Sequence, residues 1–346
     1  MLRHGFTILF FISLTAVVRG QACVNSGQLP SSSFPVCGAT VFSQTVVPAC
    51  SGSPLPTKCI TAGVVYADKN PYWYKFNCIV SGTLGFVITP NNLVDDYDWQ
   101  LFDITGHQPS DVYTDTTLFV SCNWSGDTAL TGASAAGTTS VNCAGAGVPT
   151  FNEMPILVAG NTYLLMVSHF DNISQSGYSL EFTGGTAGIT DTTKSALASA
   201  SASCSGNSIF VTLNKKMKCN SLSADGSDFS LSATGVQIVQ AIGTNCNNGF
   251  DMDTILLMLN NPLPAGTFTL TCKIGSDTNT LLDYCDAQMV LGAGINFTAI
   301  PTLPATIDSI LPLACKPNKV TLLLKSSVHC RSVAPDKTGR PRPDAV

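Results

Sequence analysis

The densest group of side chains that could do chemistry is a run of three aspartates, Asp95, Asp96 and Asp98. Packed carboxylates repel one another, and a calcium ion relieves that repulsion by taking their oxygen atoms as ligands. The spacing differs from that of an EF-hand loop, so a solvated turn before the next strand is the alternative interpretation. Asp171 and Asn172 would supply further oxygens if their loop approaches this turn. We therefore predict a structural calcium site at the three aspartates and no other cofactor.

The histidines give little support for hydrolytic catalysis. The chain has four of them, and none lies in an HExxH motif, nor is there a GxSxG nucleophile motif. A serine-type triad can be assembled only from His169 with Ser168 and Asp171, and adjacency in sequence does not supply the geometry that a triad requires. A histidine at a strand end, bonded within a turn, explains the same residues. We predict no catalytic residues and no enzymatic activity.

The three tryptophans are Trp73, Trp99 and Trp124. On one exposed face they would stack on sugar rings, whereas inside a β-sandwich they would fill the core. Their positions within alternating strand patterns favour the core.

The N-terminus has the pattern of a secretory signal over residues 1–20. Arg3 provides a positive start, residues 6–18 are apolar but too few to span a bilayer, and the small residues Gly20 and Ala22 follow. The fourteen cysteines fit export, because disulfides persist outside the reducing cytosol. No later stretch is long and apolar enough for a membrane helix. We expect a secreted, extracellular protein at the outer cell surface, with no transmembrane segment in the mature chain.

Net charge and composition limit the classes of partner and the fold class that we expect. The formal net charge is −5 and lysine and arginine are not clustered, which disfavours binding to nucleic acid. Only two residues are glutamate, whereas twenty are aspartate. Glutamate suits helices and aspartate suits turns, so the composition indicates strands joined by polar turns.

Alternation of apolar and polar residues predicts half-buried strands along most of the chain. The side chains expected to be buried in the first module are Tyr74, Phe86, Leu165, Val167, Leu180 and Phe182. A second series has apolar residues at 209, 211 and 213, at 255, 257 and 259, and at 268, 270 and 272. The predicted fold is all-β, with an N-terminal jelly-roll-like β-sandwich, an Ig-like β-sandwich and a partial third module.

A repeat defines the later modules. The segment CSGNSIFVTLNKKMKC at 204–219 recurs as CKPNKVTLLLKSSVHC at 315–330. The predicted divisions are a signal peptide at 1–20, a Cys/Pro-rich irregular lead-in at 21–59, a jelly-roll-like sandwich at 60–190, an Ig-like domain at 194–299, a partial repeat at 305–330 and a disordered tail at 331–346. The second copy stops soon after it begins, so we expect a truncated array whose last copy forms at most a hairpin.

Two sets of motifs resemble known families. The first set comprises YWYKF at 72–76, DDYDWQLFD at 95–103 and TYLLMVSHF at 162–170. With these motifs, residues 60–190 resemble the β-sandwich modules related to bacterial prepeptidase C-terminal domains, in the version found in large surface proteins of gliding bacteria. The second set comprises ADGSDF at 224–229, PLPAGTFTL at 262–270 and NTLLDYC at 279–285. With these, residues 194–299 resemble an SbsA-type Ig-like domain.

The resemblance implies gliding-associated display and export by type IX secretion. Together with the repeat and the cysteines, it favours a non-catalytic exported cell-surface protein whose modules serve adhesion or spacing. The alternative is the accessory glycan- or protein-binding region of a secreted hydrolase. In either case, the expected partners are extracellular glycans or surface proteins.

Overall fold

A computed structural model provides the fold. It describes residues 22–38, 41–170, 176–247 and 249–300, together with two short strands at 307–310 and 322–324. The predicted signal peptide at 1–20 and the predicted tail at 331–346 lie outside the described residues. The described part is nearly all β, as the composition predicts, and no helix in it is long and apolar enough to cross a membrane.

The first module contains thirteen strands. They are β1 (Phe34–Pro35), β2 (Phe42–Val46), β3 (Pro71–Asn77), β4 (Gly82–Thr83), β5 (Phe86–Pro90), β6 (Tyr97–Asp103), β7 (Phe119–Asn123), β8 (Thr131–Ala133), β9 (Val141–Asn142), β10 (Phe151–Asn152), β11 (Ile156–Leu157), β12 (Thr162–His169) and β13 (Ser176–Glu181). One sheet has the order β1-β3-β12-β6-β7-β9, the second has the order β10-β8-β5-β13-β2, and β4 pairs with β11. Short 3₁₀ helices lie at Pro30–Ser32, Pro109–Tyr113 and Thr116–Leu118.

The two large sheets enclose the core that the alternation predicts. In the register of β3, β12 and β6, Tyr74 lies opposite Leu165, which lies opposite Leu101, and all three are fully buried. The second sheet contributes Phe86 and Leu180, which are also fully buried. Successive residues of a strand point to opposite faces, so each second side chain enters the space between the sheets. The predicted core is confirmed, except that Phe182 follows the end of β13 and is only half-buried.

The outer face of the six-stranded sheet is buried as well. Trp73 and Met166 lie on this face and pack with Leu55, Tyr66 and Val112 from the covering segments. The cover explains why β6 and β12 are buried at almost every position rather than at alternate positions. The predicted burial of all three tryptophans is confirmed, since they are at most 5% exposed.

The predicted lead-in at 21–59 is not wholly irregular. Strand β1 pairs in parallel with β3, and β2 forms the edge of the second sheet beside β13. The four cysteines of the lead-in are all in disulfides, namely Cys23–Cys50, Cys37–Cys285 and Cys59–Cys143. The short apolar runs of this segment are too brief to give a periodic signal, and partner strands far away in sequence decide their conformation.

The second module is a smaller sandwich. Its strands are β14 (Leu197–Ala202), β15 (Ser208–Lys218), β16 (Phe229–Leu231), β17 (Ile238–Gly243), β18 (Asp251–Leu259), β19 (Gly266–Cys272) and β20 (Gly294–Ala299), with a 3₁₀ turn at Cys219–Ser221. One sheet has the order β14-β15-β18-β17 and the other has the order β16-β19-β20. The predicted alternation is confirmed by the full burial of Ile209, Val211, Ile255 and Leu257. A disulfide joins Cys219 to Cys246.

The last described strands belong to the partial repeat. Strand β21 (Ile307–Ile310) pairs antiparallel with β22 (Leu322–Leu324). The rest of 305–330 lies outside the described residues, so the expectation of at most a hairpin stays a prediction. The cysteines of the repeat, Cys315 and Cys330, lie outside the described residues.

Candidate functional site

The three aspartates of the predicted calcium site lie where β6 begins, beside the end of β12. Antiparallel pairing sets Asp98 opposite Ser168 and Tyr97 opposite His169. Asp95 and Asp98 are each only 5% exposed, so the turn is not the solvated one of the alternative interpretation. The structure therefore brings buried carboxylates to one end of the first sandwich.

Asp95 is bonded within the sandwich. Its Oδ2 accepts a short hydrogen bond from the Ser176 hydroxyl and lies 3.6 Å from Nε2 of His169. Asn92 donates to its Oδ1 at 3.4 Å. The ring of Tyr97 packs edge-on against the His169 imidazole at a centroid distance of 4.8 Å, and the imidazole is only 1% exposed. These contacts tie the start of β6 to the ends of β12 and β13.

Asp98 lies in a different environment. Burial raises the pKa of its carboxyl well above the usual range, the charge of Asp96 raises it further, and Lys69 opposes both effects. Asp98 lies near the buried Cys122 thiol, whose pKa rises to about 11, mainly because of burial. A carboxyl in such surroundings takes up a proton more readily than one in water.

Asp96 lies between these two environments. Its backbone oxygen accepts a hydrogen bond from the Phe170 amide at 3.0 Å, whereas its buried Oδ1 has no hydrogen-bond partner. Burial raises its pKa to about 6, the charge of His169 lowers it, and that of Asp127 raises it again. The unbonded carboxylate oxygen is the feature here that most favours a cation.

The three carboxylates thus share one end of the sandwich but have separate neighbours. Across the described ranges, no three histidine, cysteine, aspartate or glutamate side chains form a group that could hold a metal ion. Asp171 and Asn172, the expected additional ligands, lie outside those ranges. The calcium site at Asp95, Asp96 and Asp98 stays a prediction.

Among the described residues at this end, the serines and His169 are not arranged as a hydrolytic triad, and Asp171 of the candidate triad lies outside those residues. In a triad the imidazole lies between the carboxylate and the nucleophilic hydroxyl. Here the carboxylate of Asp95 lies between His169 and Ser176, while Ser168 donates its hydroxyl to the Lys69 carbonyl oxygen at 2.6 Å. The arrangement is suited to cross-linking strand ends rather than to activating a nucleophile.

Apolar side chains surround these polar groups on the outside. Leu93, Val94 and Phe170 are 53%, 70% and 57% exposed, and the Lys69 ammonium lies 4.6 Å from the centre of the Phe170 ring. This exposed end is the most apolar surface next to the aspartates.

Sequence reasoning missed the junction between the two sandwiches. The carboxylate of Asp251 at the start of β18 receives Lys75 of β3 at 2.8 Å and Lys216 of β15 at 3.2 Å, and the Tyr284 hydroxyl also donates to it. Burial alone would raise the pKa of Asp251, but the two lysines outweigh burial and lower it. No sequence motif joins these residues, because they come from strands of different modules.

Two further contacts complete the junction. The rings of Phe34 and Phe250 meet edge-to-face at a centroid distance of 4.8 Å. The disulfide between Cys37 and Cys285 crosses the junction beside a cavity of about 320 Å³. In the same cavity, Lys215 bridges two carboxylates at about 3 Å, and all three groups belong to the linker or the second module. The two modules are therefore joined by covalent, ionic and aromatic contacts together.

No known protein-family model matches the chain, and no curated protein matches it.

Proposed function

We propose that the chain is a non-catalytic, exported cell-surface protein whose two sandwiches form one load-bearing spacer. The observation that carries the proposal is the position of the Cys37–Cys285 disulfide. It joins residues 248 positions apart, one between β1 and β2 of the first sandwich and the other between β19 and β20 of the second.

The Cys37–Cys285 disulfide determines how the protein carries a pulling force. A force applied at the two ends of the chain passes through the disulfide and bypasses the residues between Cys37 and Cys285. A disulfide is covalent, whereas a sandwich is held by non-covalent contacts whose net free energy of unfolding is only about 5–15 kcal/mol. The unit therefore keeps its length when it is pulled, which is what a spacer at a cell surface requires.

The junction contacts support the same function. Lys75, Lys216 and Tyr284 hold one buried carboxylate, so the sandwiches cannot rotate apart without leaving Asp251 short of partners. The exposed side chains of Leu93, Val94 and Phe170 provide an apolar surface for adhesion on the first sandwich.

Single-molecule pulling from the two chain ends tests the spacer. The oxidised protein is expected to give no large unfolding step. After full reduction, the stretch between Cys37 and Cys285 extends by roughly 80–90 nm at about 3.3–3.6 Å per residue. A step of that length in the oxidised protein contradicts the proposal.

Activity and binding screens test the remainder of the proposal. The oxidised protein is incubated with panels of glycans and peptides, and turnover of any of them contradicts a non-catalytic role. Binding without turnover supports adhesion. Selective glycan binding that survives Leu93→Ser and Phe170→Ser favours the alternative, an accessory region of a secreted hydrolase.

A further inference from the structure

Two loops of the second sandwich meet at the end of β19. One is residues 223–228, which lead into β16, and the other is residues 273–279, which follow β19. The amide of Ser276 donates to the Ser227 hydroxyl at 2.7 Å, and the amide of Lys273 donates to the Asp228 carbonyl at 2.8 Å. These two hydrogen bonds hold the loops side by side.

Oxygen atoms converge in the space between the loops. Oδ1 of Asp228, Oγ of Ser223 and Oδ1 of Asp277 each lie less than 3.0 Å from the point that a β-carbon on Gly275 would occupy. A side chain at position 275 would collide with these atoms, so glycine allows three oxygens from two loops to approach the same stretch of backbone.

The same place gathers acceptors that lack donors. Four of the nine buried side-chain polar atoms without a hydrogen-bond partner in the described residues belong to these two loops, namely Ser223 Oγ, Asp228 Oδ1, Asp277 Oδ2 and Asn279 Oδ1. All four are oxygens. Asp228 is fully buried and Ser223 is only 6% exposed, so solvent does not reach them freely. Buried polar groups are normally bonded, and a cluster of unbonded oxygens requires an explanation.

The charge of the cluster is also uncompensated. Burial raises the pKa of Asp228 to about 6, repulsion from Asp277 and Asp225 contributes in the same direction, and hydrogen bonds from Ser223 oppose the rise only in part. Among the ion pairs of the described residues, none involves Asp228 or Asp277. Asp228 is fully buried, and a buried carboxylate without a cationic partner is costly.

We propose that Ser223, Asp228, Asp277 and Asn279 form a calcium site that joins the two loops of the second sandwich. Two carboxylates, an amide oxygen and a hydroxyl are hard oxygen ligands of the kind that calcium takes, six to eight at a time, with water completing the shell. The set contains no sulfur or imidazole nitrogen, which zinc would require. The irregular loop geometry suits calcium better than magnesium, which demands near-ideal octahedral coordination. This site lies in a different module from Asp95, Asp96 and Asp98.

The test measures calcium binding and thermal unfolding of the full oxidised chain, first stripped with a chelator. Calorimetric titration with calcium chloride gives stoichiometry and affinity, and melting curves with and without calcium give the stabilisation. Asp228→Asn and Asp277→Asn each keep the size of the side chain and remove a charge. We expect each to lose one equivalent of calcium, or to weaken its affinity about tenfold or more, and to lose the corresponding rise in melting temperature.

Two control variants separate this site from others. Asp253→Asn removes an exposed aspartate of the same sandwich, and Asp98→Asn removes a buried one of the first sandwich. Both are expected to keep the calcium equivalent that Asp228→Asn loses. The proposal is overturned if the wild type binds no calcium, or if Asp228→Asn and Asp277→Asn both keep the stoichiometry and affinity of the wild type.

The chelated proteins provide a further readout. Without calcium, Asp228→Asn is expected to melt at the same temperature as the wild type or higher, because it removes a buried charge and its repulsion from Asp277. If Asp228 served only to receive its hydrogen bond from the Ser223 amide, the variant would melt lower with and without calcium alike. That result also overturns the proposal.

Discussion

The ammonium group of Lys75 in the first sandwich lies 2.8 Å from Oδ2 of Asp251 in the second. The Asp251 side chain is only 9% exposed, and Lys216 and Tyr284 hold the same carboxylate. The contact between the modules is therefore built around one nearly buried negative charge with three donors.

Replacing Asp251 should weaken the junction. Asp251→Asn leaves Lys75 and Lys216 beside a neutral group, and we expect a loss of about 2 kcal/mol, the worth of hydrogen bonds to a charged group. Denaturant unfolding measures this loss. Asp253→Asn, an exposed position two residues further on, is expected to change stability by less than about 0.5 kcal/mol.

The carboxylate of Asp251 should also make the stability of the folded protein depend on pH. The folded-state pKa of Asp251 is lowered, so its contribution is complete above the unfolded value near 4 and is lost as pH falls through the lower folded value. Stability measured between pH 7 and pH 2 should therefore fall less steeply below pH 4 in Asp251→Asn than in the wild type. If stability fell equally steeply with pH in both proteins, the folded state would not stabilise the charged form of Asp251.

Replacing Asp98 and Asp103, which both lie on β6, should change the melting temperature in opposite directions. Burial raises the pKa of Asp98, so its charge costs stability at pH values above that raised pKa. Burial opposes the lowering at Asp103, but hydrogen bonds from Thr105 and Asn161 outweigh it. In calcium-free buffer at pH 8, Asp98→Asn should raise the melting temperature and Asp103→Asn should lower it.

The effect of Asp98→Asn on the melting temperature should depend on pH and on calcium. The gain from Asp98→Asn should shrink as pH falls toward 4, because the wild-type carboxyl then takes up its proton. If calcium binds at Asp95, Asp96 and Asp98, added calcium should instead stabilise the wild type more than Asp98→Asn. Equal responses of the two proteins to calcium would count against that predicted site.

The Cys37–Cys285 disulfide should be the most important of the described four for stability. Because it closes the longest loop, 248 residues in separation against 27 for Cys219–Cys246, it restricts the unfolded chain most. The double change Cys37→Ser and Cys285→Ser should cost about 2–5 kcal/mol. The matched change at Cys219 and Cys246 is the control, and a larger loss there would contradict this ranking.

A buried amide network should be sensitive to truncation at Asn152. This fully buried side chain accepts from Asn123 and Asn142 and donates to the Ser121 hydroxyl and the Cys122 carbonyl. Asn152→Ala removes these four hydrogen bonds from a buried site, and we expect a loss of about 3 kcal/mol in equilibrium unfolding.

The exposed position Asn91 is the control for Asn152. Its amide donates to the Gln44 carbonyl oxygen at the surface, and Asn91→Ala should cost only about 0.5 kcal/mol. Similar losses for the two variants would show that the network contributes no more than a surface hydrogen bond.

Hydrogen exchange should separate the complete Ig-like module from its partial copy. Strand β15 is paired on both sides, by β14 and β18, whereas β22 is paired only with β21 among the described strands. Amides at 322–324 should exchange at least about a hundredfold faster than those at 209–213. Equal protection would show that the partial copy folds stably.

The sequence by itself determined the fold class and most of the core. Alternation is a local property, and a residue such as Tyr74 or Leu165 is assigned to the inner face by its strand neighbours alone. It also identified Asp95, Asp96 and Asp98 as a cluster, because adjacency along one chain segment is visible without a structure.

Only the tertiary structure decided what lies between distant segments. The pairing of β2 with β13, of Cys37 with Cys285 and of Lys75 with Asp251 depends on contacts across more than a hundred positions. The oxygens around Gly275 likewise come from two loops that no local pattern connects. Side-chain periodicity reports which face of a strand is buried, but the partner on that face is set by the packing of the whole chain.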